Sequence, residues 1–130
     1  MRSIPTRVHG VFDYLVGAFL IAMPWLFGFA VIGGPATWVP VFMGAAVIFY
    51  SLLTDYELGL VRRLDMRAHL WLDGLAGVAL LISSLFFGFY DVVLFWFPQI
   101  LAGLLLLVGA LTTQKHPEER TRIERVPRVR

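Results

Sequence analysis

Two histidines and two aspartates carry the chemistry this chain can offer. His9 and Asp13 are four residues apart, and so are His69 and Asp73. On a helix that spacing stacks imidazole and carboxylate on one face, within hydrogen-bonding reach of each other. Gly17 and Gly77 continue those faces four residues deeper, where a missing side chain lets another helix come close. Three chemistries fit the recurring His-x-x-x-Asp-x-x-x-Gly. In the first, each Asp accepts a hydrogen bond from its own His, or from Arg7, Arg67, Ser51 or Thr54, and so fixes how the helices pack. In the second, the four side chains converge on a metal ion. Two imidazoles and two carboxylates suit zinc or iron, provided the second nitrogen of each His is oriented. In the third, the pairs relay a proton or a substrate, as titratable pairs inside membranes can. Packing is the simplest role, because ionisable groups near a helix end reach water and headgroups at little cost. The identity of any metal stays open, and no cofactor is predicted.

The elements that hold these residues recur as well. Arg7 to Phe29 and Arg67 to Phe89, laid over each other at an offset of 60, agree at nine of 23 positions. The identities run from Arg7/Arg67, His9/His69, Asp13/Asp73, Leu15/Leu75, Gly17/Gly77 and Leu20/Leu80 to a closing Phe-Gly-Phe, residues 27–29 and 87–89. A repeat of this kind sets the architecture.

Composition supplies the medium. With 58% hydrophobic and 15% charged residues in 130, and a mean hydropathy of +0.76, the chain has more apolar surface than a soluble domain of its size can hide. Four segments reach the roughly 20 residues that cross a bilayer core: Val11 to Phe29, Trp38 to Leu53, Leu70 to Phe89 and Val92 to Leu111. A basic start before an apolar run also fits a secretory signal. The run is too long for one, however, no small-x-small cleavage site follows it, and the pattern recurs at residue 67 where no signal could act. There is no cysteine, which excludes disulfides, thiol catalysis and thiolate metal sites. No Gly-rich phosphate loop, no nucleophile with a paired base and no further metal-spacing motif occurs.

All 11 Lys and Arg residues fall in three places: Arg2 and Arg7, then Arg62, Arg63 and Arg67, then the tail from Lys115. The other two connections, Ala30 to Thr37 and Tyr90 to Asp91, hold none. By the positive-inside rule, both termini and the central link are expected on the cytoplasmic side. The expected fold is therefore all-α, a four-transmembrane-helix bundle of two parallel-repeat hairpins, residues 1–64 and 65–114, followed by a charged cytoplasmic tail, 115–130. Parallel repeats place His9, Asp13, His69 and Asp73 at one depth, near the cytoplasmic end.

Finer features follow from local chemistry. Ser3-Ile4-Pro5 reads as a helix start with Pro at the first helical position. Pro24 lies within helix one, and Ile32-Gly33-Gly34-Pro35 reads as an outer turn flanked by Trp25 and Trp38. Helix two is expected to begin near Trp38-Val39-Pro40, and helix four near Trp96-Phe97-Pro98, an offset of 58. Gly44 and Gly103 are their helix-packing positions. Asp55 to Leu64 reads as an interfacial segment with Arg near lipid phosphates, and Asp65 as an N-cap. The aromatics Phe86, Phe87, Phe89, Tyr90, Phe95, Trp96 and Phe97 read as outer anchors. Glu118, Glu119 and Glu124 interrupt the basic tail, so it reads as topology control, and no nucleic-acid partner is expected.

With these residues in view, the chain resembles the SPW-repeat family of small bacterial membrane proteins, over nearly its whole length through Thr113. Members carry a repeat of two transmembrane helices with a Ser-Pro-Trp motif in the first, often preceded by His and Asp. That motif stands here as Met23-Pro24-Trp25 and Ser83-Ser84-Leu85. The resemblance implies a bacterial inner-membrane location and no transferable activity. The expected function is a non-enzymatic accessory or assembly subunit, or a small homo-oligomer, with the lipid bilayer and a protein partner or second copy as its contacts. Two alternatives remain: a small transporter or channel using the His/Asp cluster, and a metal-dependent membrane redox enzyme, as in some other four-helix families such as the DoxX-like proteins.

Overall fold

A computed structural model describes residues 3–86 and 93–116 and contains four α-helices: α1 (Thr6–Leu26), α2 (Gly34–Leu53), α3 (Met66–Phe86) and α4 (Val93–Thr112). No strand occurs among the described residues. Phe87 to Tyr90, Asp91 and the tail from Pro117 lie outside them, as do the side chains of Ser84, Phe95 and Trp96. At about 1.5 Å per residue each helix is roughly 30 Å long. By length and composition, α1 and α2 are apolar enough to cross a membrane.

The helix ends differ from expectation for local reasons. Pro5 sits one residue before the helix, in extended conformation (φ −61°, ψ 145°), so Thr6 is the first helical residue, and no side chain caps it. α1 stops at Leu26 rather than at Phe29. Gly28 adopts φ +75°, which ends the helix as a left-handed glycine does, and its N–H reaches the Trp25 carbonyl at 3.3 Å. After a short 3₁₀ turn (Ala30–Ile32), Gly33 and Gly34, both at positive φ, turn the chain into α2. α2 therefore starts four residues earlier than expected, and Pro40 lies inside it; Pro98 likewise lies inside α4.

The link between α2 and α3 is packed onto the helix it follows. It folds back on the end of α2, where the N–H groups of Leu60 and Val61 bond the Leu52 carbonyl and those of Arg63 and Leu64 bond Leu53. Those carbonyls have no partner within the helix, so the loop satisfies them in place of water. Its Tyr56 is fully buried, against Met66 and Leu70, while Leu60 and Val61 are exposed. The His69 N–H bonds the Asp65 carbonyl at 3.0 Å, which places Asp65 at the N-cap position of α3.

α1 packs along α2, and α3 along α4; the contacts between these two hairpins are fewer. Within each hairpin the close approach is made by glycines. A Cβ on Gly44 would collide with the Gly17 carbonyl, and one on Gly77 with the Gly103 carbonyl, so all four predicted packing glycines lie at backbone-to-backbone contacts. Between the hairpins runs one core drawn from all four helices: Val16, Leu20, Val47, Ala76, Leu80, Ala102 and Leu106. The outer faces are apolar too, with Phe42 at 70%, Trp71 at 75% and Phe86 at 82% exposure.

Candidate functional site

α1 and α3 bring His9, Asp13, His69 and Asp73 together at one end of the seam, all four at 3% exposure or less. The i, i+4 pairs seen in the sequence are present, but they are the longer contacts. His9 Nε2 lies 3.2 Å from its own Asp13 Oδ2 and 2.7 Å from Asp73 Oδ2. His69 Nε2 lies 3.2 Å from Asp73 Oδ2 and 2.7 Å from Asp13 Oδ2. The expected bond from each His to its own Asp gives way to a crossed arrangement. The reason is direction: the two rings meet edge to face at 5.5 Å and aim both Nε2 atoms into the seam.

The far nitrogens are crossed in the same sense. Thr54, at the end of α2, lies 2.7 Å from His69 Nδ1, and Thr113, just past α4, lies 2.8 Å from His9 Nδ1. Both nitrogens of each imidazole are thus held by groups of the other hairpin. Thr54 also donates its hydroxyl proton to the Tyr50 carbonyl at 2.6 Å, so towards His69 it can only accept. That fixes a proton on His69 Nδ1 and leaves Nε2 to face the carboxylates.

One shell residue has no counterpart. The Tyr50 hydroxyl donates to Asp73 Oδ1 at 2.5 Å and its ring stands edge-on to His69 at 5.1 Å. In α4 the corresponding place is Gly109, where an added Cβ would sit 3.2 Å from the His9 ring. The link loop closes the site over the first hairpin. Thr6 donates to Glu57 at 2.7 Å, Tyr14 donates to the Leu58 carbonyl at 2.9 Å, and Tyr56 fills the space left by Gly10. Burial pushes the Tyr56 hydroxyl above the usual tyrosine range, and that hydroxyl and Ser51 Oγ, both buried, have no hydrogen-bond partner among the described residues.

Backbone pairing clasps this end on both sides. Ile4 exchanges bonds with Thr112 and Gln114 (3.1 and 2.9 Å), and Leu64 does the same with Leu53 and Asp55 (2.7 Å each). The clasp, the paired threonines and the paired glycines put α2 and α4 in register at 59 (Gly44/Gly103, Thr54/Thr113), not at 58 as the Trp-x-Pro starts suggest.

Residues 7–113, which include all of these contacts but those of Ile4, Thr6 and Gln114 at the chain ends, match the SPW repeat domain. The chain belongs to the SPW repeat family. No curated protein and no solved structure matches it. In this SPW repeat protein the motif positions sit at the end of the bundle remote from the quartet. Met23 and Pro24 are buried and Trp25 faces outward at 57% exposure. In α3, Ser83 is buried and accepts a 2.6 Å bond from Gln99 of α4, while Leu85 is exposed. The quartet's outer partners are Thr54, Thr113 and Tyr50 rather than Arg7 or Arg67, and Arg67 reaches His116 at 3.4 Å.

Sequence reasoning missed Tyr50, Thr113, Tyr56 and Gln99. Thr113 was within reach, because sliding α4 on α2 by 59 pairs it with Thr54. Tyr50 also carried a signal, a hydroxyl four residues before Thr54 in an otherwise apolar run. Tyr56 and Gln99 carried none.

Proposed function

We propose that this chain is a four-span membrane protein of the bacterial inner membrane, with both termini and the central link cytoplasmic, acting without catalysis as an accessory or assembly subunit or as a small homo-oligomer. The observation that carries this reading is the inside-out distribution of polarity. Large apolar side chains cover the outer faces of all four helices, Phe12, Phe42, Trp71 and Leu105 among them, while the polar groups turn inward. In water such a surface would be a liability far larger than the apolar patches of soluble monomers; in lipid it is the solvent-facing side. The three basic clusters favour the cytoplasmic placement of the quartet's end. The quartet is buried and each His is held at both nitrogens, which favours a joint between hairpins over the wall of a conduit.

The absence of cysteine makes topology directly testable. Val31, at 92% exposure, and Leu60, at 78%, lie at opposite ends of the bundle. In intact cells a membrane-impermeant maleimide should label Val31→Cys and should label Leu60→Cys only after permeabilisation; the reverse pattern overturns the orientation. Purification from native membranes should bring down a stoichiometric partner or a closed oligomer. A strictly monomeric protein with neither overturns the accessory role.

A further inference from the structure

The crossed quartet buries two carboxylates at 2% exposure or less, and positive charge must offset them there. Thr54 fixes a proton on His69 Nδ1, so Nε2, which faces carboxylate oxygens 2.7 and 3.2 Å away, carries either a second proton, as an imidazolium, or a metal ion. Two acceptors that close require positive charge between them. His9 Nε2 stands in the same relation to the carboxylates, 2.7 Å from Asp73 Oδ2 and 3.2 Å from Asp13 Oδ2. The centre of the seam is therefore a place where cationic charge must sit, surrounded by four inward ligand atoms.

We propose that His9, Asp13, His69 and Asp73 form a closed site for one divalent transition-metal ion of the zinc class, bound by the two Nε2 atoms and one oxygen of each carboxylate. The candidate ligand atoms all lie within 4.8 Å of one another. A four-coordinate ion with bonds of about 2.0–2.1 Å sets its ligands roughly 3.3 Å apart. To reach that, the N-to-O separations of 2.7 and 3.2 Å open by about 0.6 Å at most, while the widest pair, at up to 4.8 Å, closes by about 1.5 Å. Charge balances without any further ion: two carboxylates and a dication sum to zero, which a fully buried site requires. The supporting shell is the kind metal sites use, with a threonine hydroxyl on the far nitrogen of each His and the Tyr50 hydroxyl on the outer oxygen of Asp73. Nitrogen donors and a coordination number of four argue against calcium or magnesium, which take six or more oxygens. With four protein ligands no position is left open for substrate, so the ion would act as a staple between the hairpins. This inference does not depend on the membrane orientation, and the labelling at Val31 and Leu60 is independent of metal.

The test uses the full chain purified in detergent with a tag free of histidine. Elemental analysis should find one zinc-class ion per chain. After stripping, added Co²⁺ should produce the intense visible absorption of a four-coordinate cobalt site, saturating at one equivalent. Asp13→Asn and Asp73→Asn, which keep the shape and remove the charge, should abolish that band, with helicity and monodispersity confirming that each variant is folded. Thr54→Val retains all four ligands and should weaken Co²⁺ binding about 10- to 100-fold. Folded wild-type protein that gives no cobalt band overturns the proposal, and so does Co²⁺ binding as tight in folded Asn variants as in the wild type. If an Asn variant does not fold, the wild-type titration and Thr54→Val decide between the same two outcomes.

Discussion

The two hairpins present the same inner chemistry inside different shells. Each contributes a His, an Asp and a threonine to the seam and is closed internally by a pair of contacting glycines, at corresponding positions. Around these, the first hairpin is tightly filled: Tyr14 holds the link loop, Tyr56 occupies the space beside Gly10, and Tyr50 reaches Asp73. The second has Gly74 where the first has Tyr14, and Gly109 where the first has Tyr50. An outer groove of about 380 Å³ opens there, lined by Leu70, Trp71, Gly74 and Leu75 with Arg67 and Lys115. The difference teaches that the crossed quartet and the glycine contacts are what the bundle requires, whereas the aromatic shell is one of several ways to cover them.

The comparison breaks most readily at the carboxylates. Asp73 accepts from Tyr50 as well as facing both imidazoles, so Asp73→Ala should cost about 3–5 kcal/mol, by leaving buried charge without its partner. Asp13→Ala should cost less by the worth of the Tyr50 bond; equal losses in thermal or denaturant unfolding would erase the proposed asymmetry. Tyr50→Phe isolates that bond. It should lose about 1.5–3 kcal/mol, the range for a hydrogen bond to a charged group, and should lose nothing further in an Asp73→Ala background, where no acceptor remains, if the two act as a pair. The glycines give the smallest contrasts. Gly44→Ala drives a Cβ into the Gly17 carbonyl and should cost about 1–3 kcal/mol, whereas Gly74→Ala enters open space and should stay within about 0.5 kcal/mol of the wild type, or improve on it through helix propensity. A costly Gly74→Ala would mean that the groove is filled.

Much of this was legible in the sequence because the seam is written in spacing. Four-residue intervals put His, Asp and Gly on one face, and the offset of 60 placed both sets at one depth. The crossing was not legible. Spacing says which side chains share a helix face, but the choice between a 3.2 Å partner on the same helix and a 2.7 Å partner on the next belongs to how two hairpins dock. Helix ends were misjudged for a similar reason. Trp38-Val39-Pro40 looks like a start, yet Gly33 and Gly34 turn the chain earlier and a proline six residues in is tolerated. The link loop was the hardest part, since its job is to satisfy the last carbonyls of α2, and no residue type is needed for a backbone N–H to do that.

The backbone clasp at Ile4 and Thr113 bears on how freely the chain can be rewired. It holds the segment entering α1 against the segment leaving α4, just as Leu64 is held against Thr54. The order in which the hairpins are threaded is thus nearly irrelevant to the object they build. A circular permutant that joins residue 114 to residue 4 through a short linker and opens the chain at the exposed Leu60–Val61 should fold to the same bundle with the same crossed quartet. Two separately made hairpins should likewise find each other in one membrane, each bringing half of a site that neither holds alone.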